Sequence, residues 1–81
     1  MKFKLYTDMA LAVDVPSQNL RKGDMVKLVD HHLSADGEVG YSVEVFNALG
    51  DTVAVACVSE SALKPLSADD VLSVRPLATV S

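Results

Sequence analysis

Apolar and polar positions alternate with a period of two along most of this chain, the period of a strand with one face buried. The pattern is clearest from Tyr41 to Val58. Tyr41, Val43 and Val45 share one face, and Ser42, Glu44 and Phe46 share the other. On the return arm Val53, Val55 and Cys57 share a face, opposite Thr52, Ala54, Ala56 and Val58. Asn47, Gly50 and Asp51 lie between the arms and favour a turn. The stretch predicts a β-hairpin whose core is Val43, Val45, Val53 and Val55. Phe3 and Phe46 are expected in the same core, and Cys57 as a buried, inert thiol.

Shorter runs on either side repeat the period. Leu5 to Val13 predicts a first strand, ended by Pro16. Asp14 to Lys22 predicts an ordered loop, with Leu20 folded back onto the body. Gly23-Asp24 opens a second strand, Met25 to His31, with Lys27 facing water, and Asp36-Gly37 marks a turn inside the loop from Leu33 to Val39. Ser59 to Ala62 predicts a helical turn capped by Ser59, and Leu63 to Leu66 a closing strand that Pro65 confines to an edge or an end. The order predicts an all-β domain over residues 1–66. It is a small, closed, five-stranded SH3-like barrel with a helical turn before its last strand.

Residues 67–81 are surplus to that pattern. Val71, Leu72, Val74, Arg75 and Leu77 form an apolar, extended segment and are the candidate interaction edge. The expectation is that this extension packs on its own barrel or on a partner's exposed strand.

Composition sharpens the picture in three places. A chain of 81 residues is one domain, and one this small buries a limited core, which favours a homodimer. The net charge of −4 repels a phosphate backbone and leaves nucleic acid a poor partner. A single cysteine excludes an internal disulfide. Asp8 and Asp14 interrupt the apolar start before it can serve as a signal peptide, and no apolar run is long enough to cross a membrane. These features predict a cytoplasmic protein.

The motifs Met9-Ala-Leu-Ala-Val-Asp-Val-Pro16, Leu20-Arg-Lys-Gly-Asp24, Tyr41-Ser-Val-Glu-Val-Phe46, Gly50-Asp-Thr-Val-Ala-Val55, Leu63-Lys-Pro-Leu66 and Asp70-Val-Leu-Ser-Val-Arg75 occur in this order. Together they resemble a small bacterial family catalogued as a domain of unknown function. The resemblance implies an SH3-like barrel and supplies no catalytic residue. Two departures stand out: Val26 replaces a second glycine, and the loop from His31 to Gly40 is longer.

Chemistry is sparse. His31 and His32 lie near Asp30, Asp36 and Glu38, but adjacent strand residues point apart, so no metal site is expected. Ser59, Ser61 and Cys57 have no Gly-x-Ser-x-Gly elbow around them, and no catalytic residue or cofactor is assigned. Lys22-Gly-Asp-Met-Val-Lys-Leu-Val29 is similar to the opening of a small RNA-binding barrel motif. It then runs into His31-His32-Leu33-Ser34-Ala35-Asp36, without the basic residues that would hold phosphates. The absence of Trp removes the aromatic groove that a proline-peptide receptor needs. The expectation is a noncatalytic protein-binding or assembly module. An acidic antitoxin or immunity-type regulator of a basic partner is the alternative, and a small RNA-binding barrel fits less well.

Overall fold

The computed structural model describes residues 2–77. Five antiparallel strands form one sheet: β1 (Asp8–Leu11), β2 (Met25–Leu33), β3 (Val39–Phe46), β4 (Thr52–Ser59) and β5 (Leu63–Pro65). Their order across the sheet is β4-β3-β2-β1-β5. Two 3-10 turns interrupt the strands, at Pro16–Gln18 and, directly before β5, at Glu60–Ala62. Among the described residues no helix is long and apolar enough to cross a membrane.

The expected closure of the barrel is not made by backbone pairing. β4 and β5 are the two ends of the sheet, and each has one strand neighbour. Pro65 ends the three-residue β5, an edge position that tolerates its missing N–H. The first strand is shorter than predicted, because Tyr6 turns the chain with a positive φ of 64° just before it. Tyr6 N–H and Leu28 N–H still bond across to the Leu28 and Thr7 carbonyls. β2 runs on to Leu33 and bends at a register shift between Leu28 and Asp30.

The core holds Met9, Leu11, Leu20, Val26, Leu28, Tyr41, Val43, Val45, Ala56, Val58, Ala62 and Leu63. Leu20 folds back as predicted: Val15 and Leu20 bridge across the 3-10 turn and bury the leucine. Tyr41 is the largest fully buried side chain. Its hydroxyl accepts from Phe3 N–H at 3.1 Å and donates to Glu60 Oε2 at 2.9 Å. Burial raises the phenol pKa, and the Glu60 carboxylate adds to the rise. The Phe3 ring lies 5.9 Å from the Tyr41 ring, centroid to centroid, so the N-terminal segment lids this end of the core.

The return arm faces the other way from the expectation. Val45 pairs Ala54, Val43 pairs Ala56 and Tyr41 pairs Val58, so the inward row of β3 meets Ala54, Ala56 and Val58. Val53, Val55 and Cys57 therefore lie on the outer face, and all three are exposed. Cys57 is a free, accessible thiol rather than a buried one. A register shift between Val45 and Phe46 leaves Val53 unpaired and sets this parity. Phe46 also turns outward, 41% exposed, with the Lys27 ammonium 5.9 Å from its ring.

Candidate interaction surface

After β5 the chain carries no strand up to Leu77. Ser67 to Asp70 closes a turn: Ser67 N–H donates to Asp70 Oδ2 at 2.7 Å, and Asp70 N–H to the Ser67 carbonyl at 3.1 Å. Five residues later Arg75 fastens the arm to the body. Its Nε donates to Asp24 Oδ1 at 3.0 Å, and a terminal nitrogen bonds Asp24 Oδ2. That same nitrogen reaches the Asn19 carbonyl at 3.1 Å. The other terminal nitrogen bonds the carbonyls of Pro76 and Leu77 at 2.8 and 3.2 Å. Leu77 packs against the core from outside.

The receiving end of this clasp is built by the loop before β2. Asn19 takes the left-handed conformation, φ 58°, at the end of the first 3-10 turn, and this presents its carbonyl outward. Asp24 also accepts Arg21 N–H at 2.7 Å. Burial works to raise the Asp24 pKa. The hydrogen bonds from Arg75 and Arg21, with both arginine charges, prevail and hold it below the ordinary carboxylate value. The same pairing raises Arg75 above its ordinary value against the opposing effect of burial.

Between the Ser67–Asp70 turn, whose hydrogen bonds are internal to the arm, and the Arg75 clasp stand Val71, Leu72 and Val74, which are 92%, 62% and 98% exposed. The five residues singled out from sequence therefore divide into two roles. Arg75 and Leu77 anchor the arm, and Val71, Leu72 and Val74 are displayed by it. Asp24 and Asn19 were not legible as partners of Arg75, because 51 and 56 residues separate them from it. Residues 78–81 of the predicted extension lie outside the described residues.

The histidines are separated, as strand geometry requires. His31 pairs Tyr41 and His32 pairs Gly40 on the opposite face. The His32 ring occupies the space above Gly40, where a Cβ would sit 2.7 Å from its Cε1. Beside it Glu38, Cys57 and Ser59 line a shallow, open groove of about 230 Å³. Among the described residues no three His, Cys, Asp or Glu side chains gather as metal ligands. Ser42 Oγ lies 3.6 Å from Cys57 Sγ, and Ser59 Oγ bonds Ser61 Oγ at 3.0 Å instead of capping the turn that follows.

Comparison with known proteins gives one positive result. A family model described as a domain of unknown function, DUF4926, matches residues 5–65. The match covers all five strands and stops short of the Asp70–Arg75 motif, so the arm lies beyond it. No curated protein and no solved structure matches the chain.

Proposed function

This chain belongs to the DUF4926 family, and from that premise we propose that it is a noncatalytic protein-binding or assembly module whose contact element is the C-terminal arm. One observation carries the reading. Val71, Leu72 and Val74 stand in water on a segment that leaves a hydrogen-bonded turn at Ser67–Asp70 and is fastened to the body at Arg75. A loose apolar tail would collapse onto the nearest surface; this one is held out. Ordering the arm in advance lowers the entropy lost when a partner closes over it.

The openness of the groove beside His32, among the described residues, supports a noncatalytic role. The His32 groove is smaller than the few hundred cubic ångströms usual for a small-molecule site, and it is open. The fold we propose is an SH3-like barrel. The strand order, the long loop after β1 and the 3-10 turn before β5 support it. The unpaired thiol of Cys57 suits a cytoplasmic setting.

The test is affinity recovery from native lysate with the full chain and with a V71D/V74D variant. Both positions are almost wholly exposed, so the variant should fold and melt like the parent. The expected result is a protein recovered in fixed ratio by the parent and lost by the variant. Equal recovery by both, or recovery by neither, refutes the arm as the contact element.

A further inference from the structure

The two edge strands of the sheet, β4 and β5, are joined directly by the three-residue turn Glu60–Ala62. A link that short draws the end of β4 and the start of β5 to one corner of the molecule. At that corner the N-terminal segment lies over Tyr41 and Glu60. We propose that residues 2–5 are a lid, hinged at Tyr6, that swings open while the sheet stays folded and bares the Tyr41 phenol.

The lid is lightly fastened. Residues 2–5 form no strand and, among the described residues, bond to no other main-chain atom. Lys2 N–H donates to Glu60 Oε2 at 3.3 Å, and Phe3 N–H donates to the Tyr41 hydroxyl at 3.1 Å. That hydroxyl in turn donates to the same Glu60 oxygen at 2.9 Å, so one carboxylate oxygen anchors every polar contact of the lid. Phe3 and Leu5 alternate inward but are only partly buried, and Lys2 and Lys4 are exposed. A segment held by so few half-buried contacts opens at a far lower free energy than strands paired on both sides.

The hinge is where the backbone is strained. Tyr6 holds a φ of 64°, a region in which the Cβ of an L-residue is crowded and a bulky side chain is a poor occupant. The other left-handed non-glycine position carries Asn19, a residue that tolerates it. The Tyr6 ring is 72% exposed, so burial of the side chain does not offset the strain. Such a conformation persists only while its surroundings enforce it. The lasting hold on β2 begins one residue later: the Thr7 carbonyl accepts Leu28 N–H at 3.1 Å, and Asp8 opens β1. Swinging the lid out returns Tyr6 to the ordinary negative φ and frees its N–H from the Leu28 carbonyl. Strain at Tyr6 therefore works for opening, and the Glu60 anchor works for closure.

Amide hydrogen exchange of the full chain, read by NMR, provides the test. Position 6 is set to Phe, Asn or Val in three variants, Tyr6→Phe, Tyr6→Asn and Tyr6→Val. The Phe3 amide should be protected, yet exchange at least tenfold faster than the amides of β3, and its rate should scarcely change with denaturant, because lid opening exposes little surface. Relative to Tyr6→Phe, the opening constant should fall about threefold in Tyr6→Asn and rise about tenfold in Tyr6→Val, following how well each residue tolerates the left-handed region. A second reading comes from light. The chain has two tyrosines and no tryptophan, so these variants fluoresce from Tyr41 alone, and quenching by acrylamide should increase from Asn to Phe to Val. A Phe3 amide that exchanges at the rate of β3 with the same denaturant dependence shows no separate opening and overturns the proposal. So does an unprotected Phe3 amide, which shows no closed lid. An opening constant and a Tyr41 quenching that ignore position 6 place the hinge elsewhere and overturn it too. None of these results bears on the arm, whose partner is read through Val71 and Val74.

Discussion

Arg75 does more than any other single residue to position what the molecule displays. Its planar fork meets both oxygens of Asp24, a geometry that lysine cannot reproduce. Both side chains are less than a quarter exposed, so water screens the pair only in part. Arg75→Ala should cost about 1–2 kcal/mol, the range for a charge-assisted hydrogen bond discounted for partial exposure. The pH dependence has a definite sign. Asp24 has a folded pKa below its unfolded value, so its contribution is complete above that unfolded value, near 3.8. It fades as pH falls through the lower folded value. Melting curves of the parent and of Asp24→Asn should therefore differ most at neutral pH and converge toward pH 2. Asp36 and Asp70 are also held low by local hydrogen bonds and titrate equally in both proteins, so the difference isolates Asp24. A constant difference across the acid range would show that the ionisation of Asp24 contributes nothing to the clasp.

At the level of elements, the hairpin of β3 and β4 shows how far alternation reaches. The arms, the Gly50 turn and the inward row Tyr41, Val43 and Val45 could all be read from the period of two. Which face of the return arm went inside could not. Thr-Val-Ala-Val-Ala-Cys-Val offers valines to one face and alanines to the other, and hydrophobicity alone favours the valines. One unpaired residue at Val53 reverses that choice. A thiol reagent checks it directly. Cys57 should react in the native protein nearly as fast as in denaturant; strong protection in the monomer would return β4 to the inverted facing. The Arg75 clasp was hidden for another reason, since no local pattern encodes an ion pair closed between the loop before β2 and the arm after β5.

For the molecule as a whole, the sheet is complete at Pro65 and the arm is fastened on afterwards. A chain ending at Leu66 should therefore still fold. It should melt lower by about 2–3 kcal/mol in stability, the sum of the clasp and the partial burial of Leu77. That is roughly 4–8 °C per kcal/mol for a domain of this length, readable by circular dichroism. Equal melting of the long and short chains would show that the arm merely rests on the sheet. The sequence by itself determined an all-β domain, the order of its strands along the chain, Leu20 as a core residue and an apolar surplus after residue 66. Each of these is local, set by side-chain period, turn formers and proline. Only the tertiary structure decided that the sheet stays open between β4 and β5, that Cys57 faces water, and that Asp24 receives Arg75. Those outcomes rest on volume, register and contacts between distant segments, and such quantities exist only once the strands are laid side by side.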